Sequence, residues 1–189
     1  MFQLPEPDQQ LLLRIARGAV GSHLAGQPVQ LPDIQSGTLL ESRGVFVSLH
    51  IDGELRGCIG NIQPPEPLYR TTANCAISAA VGDPRFMPLT ERELAAVTFE
   101  ISVLSEMTRI EHAHEIEIGT HGLLITKRTA QGLLLPQVAG AYGWDAERFL
   151  AETCRKAGLQ PDAWKDGAII NRFCAFVFSE HRLHLRAIS

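Results

Sequence analysis

A chain of 189 residues, 45% hydrophobic and 20% charged with a formal net charge of −4, has the size and balance of one medium globular domain and can bury a core without covalent staples. The acidic balance and the lack of a basic stripe argue against duplex binding, and His181, Arg182, His184 and Arg186 read as a solvated end. There is no signal-peptide pattern, no apolar run of membrane-spanning length and no Cys-x-x-Cys pair among Cys58, Cys75, Cys154 and Cys174, so the expectation is a cytoplasmic protein with free thiols.

In chain order, residues 8–25 carry a helical apolar period with Asp8 as its cap, followed by a Gly/Pro-punctuated surface loop from Gly26 to Gly37. Val45 to Ile51 alternates as a strand. Asp52-Gly53 signals a tight hairpin, and a second strand runs from Glu54 to Ile59 until Pro64, Pro65 and Pro67 end it. Leu68 to Val81 predicts a helix stopped by Gly82, and Asp83-Pro84-Arg85-Phe86 a turn. Thr90 and Glu93 form a capping box for a short helix through Ala95, and Val97 to Ser105 is the next strand. Strands at His121 to Thr126 and Leu133 to Pro136 join around Gly132. A helix from Asp145 to Ala157 and a last strand over 171–179 complete the pattern. Strands arriving in hairpins without regular crossovers predict an α+β fold of mostly antiparallel sheets with helices.

The chemistry concentrates at Leu55-Arg56-Gly57-Cys58-Ile59-Gly60. Arg56 and Cys58 are two apart on a strand and so share a face, and a nearby guanidinium favours thiolate over thiol, as a nucleophilic cysteine requires. Gly57 and Gly60 mark close approach by a ligand or by other backbone. The same pattern also suits a buried small thiol with glycines relieving crowding, and composition leaves both readings open. Asp83 and Arg85, held by a rigid turn, can orient a polar substrate or simply pair with each other. Glu100 sits on the polar side of its strand and serves as a base only if that side meets Cys58. His50, on the register of a two-residue turn, faces away from Cys58. His112 and His114 lack converging partners and read as a charged loop, so no metal site is assigned. No dinucleotide fingerprint, P-loop or serine elbow is present.

The ordered segments Gly44-Val45-Phe46-Val47-Ser48-Leu49, Leu55 to Gly60, Asp83-Pro84-Arg85-Phe86-Met87-Pro88-Leu89, Ile101 to Ser105, Gly132 to Val138, Cys154 to Leu159 and Ala163-Trp164-Lys165-Asp166 resemble the AMMECR domain family. The resemblance covers nearly the whole chain and departs at Asn61, where threonine is the commoner residue, and over 168–171. It implies a single domain over 8–180, with 1–7 and 181–189 as terminal extensions. It also implies one compact unit with a larger and a smaller lobe, the cysteine hexapeptide lying near a cleft. The prokaryotic members, called AmmeMemoRadiSam system protein A, imply a Memo-type protein and a radical SAM enzyme as partners.

Two functional expectations follow. In one, an enzyme or enzyme component uses Cys58 as nucleophile or ligand with Arg56 and Glu100, while Gly57, Gly60, Asn61, Asp83 and Arg85 line the substrate. In the other, a non-catalytic module binds a small molecule or those partners. Neither assigns a cofactor.

Overall fold

The computed structural model describes residues 3–180, an α+β arrangement of helices and two four-stranded sheets. Expectations that fall on residues 1–2 and 181–189 lie outside the described residues. Among the described residues the chain divides into two compact units, one built from Gln3–Leu104 together with residues 176–180, the other from Ser105–Ala175.

In the first unit, helix α1 (Glu6–Leu24) starts after Pro5, earlier than the Asp8 cap expected. A proline at the helix start loses nothing, because the first turn's N–H groups have no partner within the helix. Asp8 instead lies in the first turn, where its carboxylate accepts a 2.7 Å hydrogen bond from the Ser36 hydroxyl. The loop that follows is more than a surface connection. Its Val29, Leu31 and Ile34 pack against Ile15 and Ala19 of α1 and against Ala73, and the short α2 (Gly37–Leu40) closes it.

Strand β1 (Val45–Ile51) buries Val45, Val47 and Leu49 completely. Asp52 and Gly53 adopt φ of 52° and 83°, the positive values a tight hairpin needs, and β2 (Glu54–Asn61) returns antiparallel. Helix α3 (Leu68–Val81) ends at Gly82, and β3 (Thr98–Leu104) pairs with the other side of β1.

The second unit holds β4 (Thr108–Ile110), β5 (Gly122–Lys127), β6 (Ala130–Leu134), α4 (Pro136–Tyr142), α5 (Ala146–Lys156) and β7 (Ile169–Phe173), with sheet order β4-β7-β5-β6. The hairpin turns at Arg128 (φ 56°), not at Gly132. Gly132 lies inside β6, where the α5 backbone at Thr153 and Ala157 leaves no room for a Cβ. Pro136 opens α4 rather than ending a strand. The α5 cap is as expected: Asp145 accepts from the Arg148 N–H at 2.7 Å. Ile110, Leu123, Ile125, Phe149, Leu150, Cys154 and Ile170 form the core here.

The single last strand expected over 171–179 is two strands. β7 pairs with β4 and β5, whereas β8 (Ala175–Ser179) joins β3. Between them the Cys174 N–H donates to the Ser105 hydroxyl at 2.9 Å and its carbonyl accepts from the Ser105 N–H at 2.8 Å. Both strands are extended and apolar, so alternation alone cannot register the change of sheet.

The first sheet thus runs β2-β1-β3-β8, leaving β2 at an edge. Helices α1 and α3 cover the face bearing Val45, Val47, Leu49, Phe99, Ile101 and Val103. Just past β8, Glu180 grips the Arg17 guanidinium of α1 through both oxygens at 2.7 Å and accepts the Phe99 N–H at 3.0 Å. Among the described residues no helix is long and apolar enough to cross a membrane.

Candidate functional site

The geometry around the hexapeptide turns on one extra residue. From the hairpin turn the register starts as expected, with Ile51 opposite Glu54 and His50 opposite Leu55. It then jumps: Leu49 lies opposite Gly57 and Ser48 opposite Cys58, so Arg56 is the additional residue of a β-bulge. A slip of one residue moves every later side chain to the other face. Uninterrupted pairing would set Cys58 opposite the buried Val47. The bulge sets it opposite Ser48, on the half-buried face that also carries Phe46 and His50. His50 therefore shares the Cys58 face, contrary to the expectation drawn from the unbroken register.

The bulge also removes the parity argument linking Arg56 to Cys58. The Arg56 guanidinium is engaged elsewhere: Nε donates to Glu93 at 3.1 Å, Nη1 to the Met87 carbonyl at 2.9 Å and Nη2 to the Pro88 carbonyl at 3.5 Å. Glu93 in turn accepts from the Thr90 N–H and hydroxyl at 2.8 and 2.7 Å. These bonds, the Thr90 pair first and Arg56 after them, hold the Glu93 carboxyl down to about 2.

On the open face, the Ser48 hydroxyl donates to the Cys58 sulfur at 3.2 Å. Ser48 is also opposite Glu100 across β3, so Cys58, Ser48 and Glu100 form one row over three strands. Glu100 is half-buried, and among the described residues its carboxylate has no hydrogen bond or ion pair. The neighbouring row is Gly60, Phe46 and Ser102. The Phe46 ring lies across Gly60 and fills the space a Cβ would need.

Asp83 and Arg85 reach Cys58 through its backbone. At the free edge of β2 the Cys58 N–H donates to Asp83 Oδ2 at 2.9 Å, and Arg85 Nη2 donates to the Cys58 carbonyl at 3.3 Å. The two side chains are bound to each other at 2.6 and 2.9 Å. They complete the backbone bonds that a further strand would otherwise supply. The Arg85 guanidinium, helped by the Cys58 and Arg85 N–H groups, holds the Asp83 carboxyl well below the usual carboxylate range, although its side chain is only 2% exposed.

The helix side of β2 is different. Gly57 lies under the Ala79 backbone of α3, which excludes any side chain. Further along, Asn61, Glu66, Thr71, Asn74, Cys75 and Ser78 are among the residues lining a cleft of about 200 Å³. Asn74 donates to Glu66 at 2.8 Å, and burial pushes the Cys75 thiol up to about 11. The expected site residues are therefore divided. Cys58 and Glu100 share the open face, Asp83 and Arg85 clamp the edge, Gly57 and Asn61 belong to the helix side, and Gly60 lies between Phe46 and the cleft.

Sequence reasoning passed over Ser48 and Asn74, and read Cys75 simply as a core residue of its helix; it is 5% exposed. Ser48 was visible as the polar member of the β1 alternation, but only the bulge puts it beside the sulfur. Elsewhere, the His112 and His114 rings stack 5.2 Å apart, and no group of three or more His, Cys, Asp or Glu among the described residues is arranged to hold a metal.

The model of the AMMECR1 family matches residues 13–178. A protein of Methanothermobacter thermautotrophicus is 43% identical over 185 residues, covering 94% of this chain and 96% of its own. Protein MJ0810 of Methanocaldococcus jannaschii is 43% identical over 177 residues, covering 89% and 88%. The crystal structure of the uncharacterized protein PH0010 from Pyrococcus horikoshii superposes with a TM-score of 0.86 at 40% identity, covering 95% of this chain and 94% of that one.

Proposed function

The chain belongs to the AMMECR1 family, and on that premise we propose that the face bearing Cys58 is the working surface of a cytosolic enzyme, or of one component of an enzyme system. Cys58 is its nucleophile or ligand, and Glu100, in the same row, is the acceptor for a proton released there. The observation that carries this reading is the Ser48 hydroxyl donating to the Cys58 sulfur on a half-buried, non-helical face. A sulfur placed merely to fill a core would lie on the Val47 side, and the bulge removes it from there. A hydroxyl aimed at sulfur is also the group that would solvate negative charge on it during attack. The Memo-type and radical SAM proteins implied by the resemblance are the partners in this reading.

A second reading, a non-catalytic binding module, is favoured by a different observation. Arg56, Asp83 and Arg85 are spent on backbone and on each other, as expected of a rigid edge built to be recognised. The two readings separate on Cys58→Ser. In the reconstituted three-protein system an enzymatic role predicts loss of product formation with intact partner binding. Full activity of the variant would remove the thiol from the mechanism. Pull-down of the purified partners at micromolar concentration tests the module, and absence of any complex would count against it.

A further inference from the structure

We propose that the Cys58 face selects cationic ligands, with the Glu100 carboxylate as the anchor for a protonated amine or guanidinium whose other end lies at the sulfur. The inference rests on the reading of Cys58 as a working thiol and adds to it the chemical class of what binds.

The argument is one of charge accounting on the sheet. Arg56 is neutralised by Glu93, and Arg85 by Asp83. On the Cys58 row the charge left over is that of Glu100, which has no partner among the described residues although it is half-buried. A carboxylate partly shielded by the sheet and without an ion pair keeps its charge available to a cationic ligand. Next to it on the same face, Ser102 is 4% exposed, and its hydroxyl has no hydrogen-bond partner among the described residues. Two adjacent side-chain oxygens without a protein partner among the described residues, on the same face as a thiol, are placed to accept from a donor-rich group. Glu100 lies two strands from Cys58, about 10 Å between Cα atoms, which the two side chains and a short ligand can span. Phe46, flat over Gly60, adds an aromatic face of the kind that attracts cations.

The test compares two thiol reagents of equal reach and opposite charge, 2-aminoethyl and 2-sulfonatoethyl methanethiosulfonate. In each, the Cys58 sulfur forms a bond to the reagent's sulfenyl sulfur, the thiosulfonate S–S bond breaks, methanesulfinate departs, and the thiol proton goes to solvent. Labelling rates at Cys58 are read peptide by peptide by mass spectrometry and normalised to a cysteine peptide. The cationic reagent should be favoured by about tenfold over the normalised ratio, and Glu100→Gln should bring the ratio back to that of the peptide. Raising ionic strength should shrink the ratio in the unmodified protein, a control that needs no variant. A ratio equal to that of the peptide, or one unchanged in a folded Glu100→Gln protein, overturns cation selection while leaving the working thiol intact. Failure of both reagents to label Cys58 in the folded protein overturns the thiol reading itself.

Discussion

Ser48 touches the Cys58 sulfur at 3.2 Å because Arg56 is one residue too many for the β1–β2 ladder. Without that residue the sulfur would be paired with Val47 inside the core. The bulge therefore decides which chemistry the cysteine can reach, while Asp83 and Arg85 fix the backbone at the same position from the edge.

Removing the Ser48 hydroxyl isolates its role. Ser48→Ala should cost about 1 kcal/mol of stability, the net worth of one partly buried hydrogen bond. Its larger effect should be a several-fold slower reaction of Cys58 with iodoacetamide at neutral pH, and Ser48→Thr should restore most of the rate. Equal rates in all three proteins would show that the hydroxyl does not act on the sulfur.

The two glycines beside Cys58 should respond unequally. A methyl at Gly57 meets the Ala79 backbone, which cannot yield without moving α3, whereas one at Gly60 meets the Phe46 ring, which can turn. Gly57→Ala is expected to cost about 3 kcal/mol and Gly60→Ala distinctly less. Urea denaturation gives both values. Combining Phe46→Leu with Gly60→Ala should recover part of the smaller loss.

Acid should loosen the first unit through two carboxyls. The folded-state values of Asp83 and Glu93 are depressed, Asp83 well below the carboxylate range and Glu93 to about 2. Their contribution is complete above the unfolded values near 4 and is lost as pH falls through the folded values. The urea midpoint should thus fall between about pH 4.5 and pH 2. Asp83→Asn and Glu93→Gln should each be less stable at pH 7 and show a shallower fall, and a slope unchanged in both variants would contradict the assignment.

Thiol accessibility should rank the cysteines. Cys75 and Cys154 are 5% and 0% exposed, and burial raises both thiols, Cys75 to about 11. Neither should be alkylated at pH 8 before the protein unfolds, while Cys58 and Cys174, which are half-buried, should react in the folded state. Rapid labelling of Cys75 in the folded state would mean that the cleft beside Asn74 admits more than the structure shows.

Much of this was legible in the residues, because local rules governed it. The β1 alternation, the Asp52-Gly53 turn, α3 with its Gly82 stop and the Asp145 cap each depend on neighbours within a few positions. What escaped depends on distant backbone. The bulge at Arg56 is set by the pairing of Leu49 with Gly57 across the hairpin, and the division at Cys174 by its bonds to Ser105, 69 residues away. Gly132 looked like a turn because the pressure from α5 that requires a glycine there is not written in its own neighbourhood. At the site, Cys58, Asp83 and Arg85 were read as a group that meets a ligand, and the structure joins them through main chain.

The interrupted course of the first unit has a consequence for synthesis. Its sheet takes three strands from the first 104 residues and the fourth only from 175–179, after all of Ser105–Ala175 has emerged. On the ribosome, β3 must wait with one side unpaired and Arg17 without Glu180. Ser105–Ala175, a compact unit formed by a continuous stretch, can meanwhile close on itself. Nascent chains halted with residues up to Ala175 outside the ribosome and the rest of β8 still inside it should therefore carry a folded insert on an unfinished host. In that state the bare flank of β3, rather than the site around Cys58, is where the chain is most exposed to mispairing and to chaperones.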